Sequence, residues 1–254
     1  MKKILKTMLC VAALATIANA DIARVEMGAG VWAQTPAGEL TYSEGSLSGK
    51  DVFDENQENN AYVWMLIKHP IPVLPNLRLE YVNIDSTGVA SGDFEDFTIP
   101  ATAATSLKMT QFDVIPYYNI LDNTAWITLD LGLDFKVVSV DFQANGVDII
   151  GGALNTSYSD TQTIVVPLGY LRARVEIPST NIGLEADVKY VTYDGSTISD
   201  IRAKVDYTLD FIPVVQPALE LGYRVQKIDI SSDEVKSAMN VDFSGIYAGL
   251  MLRF

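Results

Sequence analysis

The segment GIYAGLMLRF, residues 245 to 254, is the most telling in the chain. Ile246, Ala248, Leu250, Leu252 and Phe254 alternate there with Gly245, Tyr247, Gly249, Met251 and Arg253. A period of two puts the two sets on opposite faces of an extended strand. The same pattern recurs upstream. Leu129, Leu131, Leu133, Phe135 and Val137 oppose Asp130, Gly132, Asp134 and Lys136; Ile182, Leu184, Ala186, Val188 and Tyr190 oppose Gly183, Glu185, Asp187 and Lys189. Ile201, Ala203, Val205, Tyr207, Leu209 and Phe211 oppose Arg202, Lys204, Asp206 and Asp210, while Leu219, Leu221, Tyr223 and Val225 oppose Glu220, Gly222, Arg224 and Gln226. The longest of these runs last nine to eleven residues. Strands of soluble proteins average about 5 to 6, and a tilted strand needs about 9 to 11 to cross hydrocarbon.

At the other end, three lysines in Met1 to Lys6, an apolar run from Met8 to Ile17 and the small-x-small site Ala18, Asn19, Ala20 read as a secretory signal peptide, residues 1–20. The run is too short for a permanent membrane helix. Cys10 falls within it, so the expected mature chain, 21–254, has no cysteine and no thiolate chemistry.

Such a signal followed by strands that end on an aromatic residue resembles the outer-membrane β-barrels of Gram-negative bacteria. The resemblance rests on Phe254 and the alternate apolar residues before it. It implies that Phe254 is the signal read by the outer-membrane assembly machinery, and that outer-membrane lipid and lipopolysaccharide are the surroundings.

The expected fold is all-β, a closed antiparallel transmembrane barrel of ten strands, with eight or twelve as the neighbouring counts. The strands fall near 22–34, 61–69, 76–85, 107–119, 125–141, 161–177, 182–193, 199–211, 218–229 and 240–254. Three segments alike in pattern, Leu77 to Val82, Gly183 to Val191 and Leu219 to Val225, suggest repeated hairpins. The connections at 70–76, 120–124, 178–181 and 212–217 are compact and mostly proline-rich, whereas 35–60, 86–106 and 142–160 read as long polar loops. Short turns on one side and longer loops on the other, with 194–198 and 230–239 as shorter exceptions, are the asymmetry of a transmembrane barrel.

Charge placement separates this reading from a soluble sandwich. All seven arginines, Arg24, Arg78, Arg172, Arg174, Arg202, Arg224 and Arg253, fall on the polar faces of predicted strands. With Lys136, Lys189 and Lys204 they meet eleven acids on those faces: Glu26, Glu80, Asp113, Asp130, Asp134, Glu176, Glu185, Asp187, Asp206, Asp210 and Glu220. Removing the three leader lysines from 18 basic residues leaves 15 against 32 acids, a net charge of −17. Most of that excess lies outside the balanced face, as a salt-bridged interior with acidic ends requires. The candidate interior network is Arg78, Glu80, Asp130, Asp134, Arg172, Arg174, Glu185, Asp187, Arg202, Asp206, Glu220 and Arg224. Trp126, Tyr118, Phe211 and Phe254 near the compact turns, with Tyr81, Phe135, Tyr190 and Tyr223 higher up, are expected to form the two interfacial girdles.

Other chemistry finds little support. The single histidine, His69, precedes Pro70 at a compact turn, with no nucleophile constellation around it, so a turn role is expected and no catalytic residue is assigned. Asp51, Asp54, Glu55, Glu58 and Asp93 to Asp96 offer oxygen ligands but no EF-hand spacing, and read as a solvated acidic rim. Gly151-Gly152 is a loop turn. The acidic balance opposes nucleic acid binding. No cofactor or metal is expected. Two functions remain: a barrel closed by its own charged side chains, with a structural or surface-interaction role, or a narrow cation-preferring channel. An outer-membrane enzyme ranks behind both. Ten strands lie near the size that side chains fill, which favours the first.

Overall fold

The computed structural model describes residues 24–44, 47–54, 56–71, 73–94, 96–209, 215–230 and 237–254. The predicted leader with Cys10, and Glu55, Glu95, Asp210 and Phe211, lie outside the described residues. Eleven antiparallel strands are present: β1 (Arg24–Glu44), β2 (Leu47–Phe53), β3 (Glu58–Lys68), β4 (Asn76–Asp93), β5 (Phe97–Thr124), β6 (Ile127–Ile149), β7 (Thr156–Glu176), β8 (Ile182–Tyr193), β9 (Ser196–Thr208), β10 (Gln216–Ile230) and β11 (Ser237–Arg253). Ten of them close a ring in which β11 returns to β1, from Glu26↔Arg253 to Tyr42↔Ser237. The seam is finished by Phe254, whose N–H donates to the Val25 carbonyl at 2.9 Å. Closure pairs every strand on both sides within the ring, the condition for a sheet to sit in lipid.

The eleventh strand, β2, is a short insert. Above the end of β3 it lies between β1 and β4, pairing Glu39↔Val52 on one side and Phe53↔Gly88 on the other. The long polar loops expected at 35–60, 86–106 and 142–160 are therefore mostly strand, and the connection expected at 120–124 belongs to β5. The chain turns at Ala125-Trp126, both in left-handed backbone conformation. The extensions hold because inward positions stay apolar, and Tyr42, Ala90, Phe94, Phe97, Ile99, Ala103, Ala144 and Val147 form a second buried cluster. Phe94 and Phe97 stack at 4.7 Å between ring centroids, and Phe97 meets Tyr158 at 4.4 Å. Their outward neighbours are small or polar because they face water, which gives the segments the composition of loops.

Strand length varies around the ring, from 28 residues in β5 and 23 in β6 to 13 in β9, 12 in β8 and 11 in β3, above which β2 continues the wall. About 9 to 11 residues per strand cross the membrane, so β8 and β9 barely clear it while the other side stands up as a wall. The outer surface is the expected apolar belt, with Val63, Leu131, Leu133, Leu171, Leu184, Ile201, Leu219, Leu221, Ile246 and Leu250 exposed on it. Tyr118 and Trp126 near the turns, and Tyr81, Phe135, Tyr190 and Tyr223 above, are also exposed outward.

Candidate functional site: the charged lumen

Strand alternation aims the polar set inward, and the barrel is narrow enough for side chains from opposite walls to meet. All twelve residues of the candidate network are in the lumen. Buried bases Arg78, Lys136, Arg172, Arg174, Lys189, Arg202, Lys204, Arg224 and Arg253 face buried acids Glu26, Glu80, Asp113, Asp130, Asp134, Glu185, Asp187, Asp200, Asp206 and Glu220. Arg24 and Glu176, at the lower rim, are partly exposed and pair at 3.4 Å.

The network has three linked groups. Near the lower rim, Arg174 Nη1 and Nη2 grip Asp206 at 2.6 and 3.1 Å, and Arg253 reaches the same carboxylate at 2.7 Å. Arg172 bridges Asp130 and Glu185, both at 2.6 Å, while Asn119 donates to Asp130. At mid-height Glu80 accepts from Arg78, Arg202 and Lys189 at 2.5, 2.5 and 2.6 Å. Lys189 also contacts Asp113, which Lys136 holds at 2.7 Å, and Arg202 is forked onto Asp187 at 2.8 Å. In the third group Arg224 grips Asp200 through Nε and Nη2 at 2.9 and 2.6 Å, and Lys204 meets Glu220 at 2.9 Å. Forked geometry and multiple partners let Coulomb attraction offset desolvation in a low-dielectric space.

Aromatic rings complete the packing. Tyr62 and Trp64 donate to Glu220 at 2.8 and 3.1 Å, and Lys204 Nζ lies 4.4 Å from the Trp64 ring centroid. Arg224 sits over Trp32 at 4.6 Å. The Trp64 ring passes so near Gly28 that a Cβ there would overlap its Nε1. Above the charges, Gln111 and Gln226 exchange hydrogen bonds at 3.2 and 2.9 Å. Higher still, Ile84, Met109, Val138, Leu168, Val241 and Phe243 form a dry layer. Among the charged side chains a cavity of about 20 Å³ is bounded by Trp32, Trp64, Tyr247, Arg202 and Arg224, room for about one water molecule.

The sequence reading missed Asp200, although it shares the phase of Arg202, Lys204 and Asp206. It also missed the lumen aromatics, because Tyr62, Trp64 and Leu66 alternate with the equally apolar Val63, Met65 and Ile67, so neither face of β3 looks polar. The apolar layer was not anticipated either. His69 lies away from the network, its ring joined to the Pro75 carbonyl and the Ile71 N–H at 3.0 and 3.2 Å. Of the acidic rim, Asp51 points inward and accepts from the Thr105 hydroxyl at 2.9 Å, whereas Asp54 and Asp96 accept from Thr87 and Tyr158.

The architecture is similar to that of the outer membrane protease OmpT from Escherichia coli, with a TM-score of 0.59 over 91% of this chain and 97% of that one, at 11% identity. The translocator domain of the autotransporter NalP from Neisseria meningitidis gives a TM-score of 0.42 at 14% identity, covering 100% of this chain and 96% of that one. A Pseudomonas aeruginosa FadL homologue gives 0.33 at 8% identity, covering 96% and 92%. No protein-family model and no curated protein matches the sequence. What the likeness to OmpT shows is the fold, a closed antiparallel transmembrane β-barrel.

Proposed function

We propose that the protein is an integral outer-membrane barrel with a sealed interior, whose role is structural or one of surface interaction through its raised extracellular wall. In this reading residues 1–20 are removed on export, Phe254 serves the assembly machinery, and the partners are outer-membrane lipid and lipopolysaccharide. The protein is not an enzyme. One observation carries the proposal: forked ion pairs joining opposite walls are stacked beneath a layer of buried apolar side chains, and both lie across the lumen. A channel needs a continuous wet path, whereas an ion here would have to break buried pairs and then enter an apolar layer. Liposomes containing the refolded protein should swell in small sugars no faster than protein-free liposomes. Swelling that scales with protein content and falls with solute size would replace this reading with the narrow channel.

A further inference from the structure

The wall ends abruptly at β7. That strand pairs with β6 along nearly its whole length, up to Val147↔Thr156, but with β8 only from Gly169↔Tyr190 to Glu176↔Gly183. Above Gly169, among the described residues, no strand pairs with its second side. Pro167 stands at this step and has no N–H to extend the ladder, so it is tolerated where a strand becomes an edge. Thr161 to Val165 are exposed on both faces. Such an edge is usually guarded by lysine, proline, a bulge or a covering segment, and Pro167 supplies such a guard only at the step itself. Here, from Thr156 to Leu168, the one charged side chain is Asp160.

Beside the edge the barrel rim is low, and Val140, Phe142, Val166, Val191, Ile230 and Met239 are only partly buried on top of the lumen core. Backbone groups thus flank an apolar floor. We propose that the β7 edge is a docking site for an extended segment of a partner polypeptide, apolar at alternate positions and bearing a basic residue. The strand would add antiparallel to β7, with alternate side chains over that floor, the mode known as β-augmentation. The basic residue is called for by Asp160 and the exposed Asp194 of the β8–β9 turn, since neither 156–168 nor 191–199 contains lysine or arginine. A second copy in the same membrane does not fit. Strands tilted by about 35 to 45° from a shared membrane normal cross at roughly 70 to 90° when related by a two-fold axis, far from antiparallel. The proposal rests on the surface-interaction reading and gives that surface its ligand.

The test uses the refolded full-length mature protein in detergent and a labelled peptide alternating valine and threonine between terminal lysines. Two further versions are N-methylated on one or the other alternate set of amides. Saturable binding is expected, weakened about tenfold or more in one methylated version, in Ile164→Lys and at high salt. Slower amide exchange should be confined to Ser159–Val166. The gel shift between unboiled and boiled samples verifies folding of each variant. Absence of saturable binding, equal binding of both methylated peptides, or protection elsewhere would overturn the proposal. So would a disulfide-linked dimer of Thr163→Cys in liposomes, which would make a second copy the occupant. Swelling of the same liposomes reports independently on the sealed interior, so the two readings fail separately.

Discussion

Arg202 shows what a single lumen side chain does. It spans from Asp187 on β8 to Glu80 on β4, and Glu80 keeps Arg78 and Lys189 if it is lost, whereas Asp187 is left without its forked partner. Arg202→Ala should therefore cost about 3 to 5 kcal/mol in urea unfolding, and Asp187→Ala in the same chain should recover much of it. An exposed, hydrated pair would show about 0 to 1 kcal/mol and little coupling. Asp51, in the wall above the membrane, behaves differently. Burial raises its carboxyl above the ordinary carboxylate range, the Thr105 hydroxyl opposes this, and Asp54 adds to the rise. A raised acid stabilises the fold when protonated, and that contribution is lost as pH rises through its folded value. Asp51→Asn should therefore slow amide exchange of Leu47–Phe53 at neutral pH, with the difference from wild type closing below about pH 4. Arg202 was legible from the sequence because period two gave its face. Asp51 was misplaced in a solvated rim, since its inward orientation depends on β2 pairing with β4, which no local pattern reveals.

Strands, taken whole, were easiest to read where one face meets lipid. On β6, β8, β9 and β10 outward positions in the membrane must be apolar and inward ones are mostly charged, polar or small, so contrast is high over nine or more residues. In the extensions the outward face meets water, contrast falls, and strand composition becomes loop-like. The error matters for assembly. Phe53, at first sight a loop residue, is buried in the lumen core, so changing it would damage folding for its own reasons. Tyr193, exposed beside the β8–β9 turn, is the sound comparison. Phe254→Asp should lower the folded outer-membrane fraction several-fold, judged by the gel shift before and after boiling, while Tyr193→Asp should not. Equal folded fractions would remove Phe254 from any role in insertion. The backbone hydrogen bonds between Phe254 and Val25 also help to close the ring.

At the scale of the molecule, ten strands form a ring whose size lies near the limit that side chains can fill. Strand number and the near-balance of inward charge were readable in advance, because both follow from counting alternating segments. The height difference between the β5–β6 wall and the β8–β9 rim was readable only as the shortness of the 194–198 connection, because the wall itself comes from the ends of strands, where pairing and sequence signal diverge. Nor was the apolar layer over the charges, since Val138, Leu168 and Phe243 in a strand look the same whether they face lipid or lumen. Charge network and apolar layer together support the central proposal, that of a barrel that does not conduct. Planar-bilayer recording of the refolded protein tests this most directly. A sealed lumen gives no steady current above the bare membrane, with occasional leak only after Arg202→Ala or Arg224→Ala. Steady ohmic conductance in the wild type, its selectivity shifted toward cations by those substitutions without loss of stability, would contradict it.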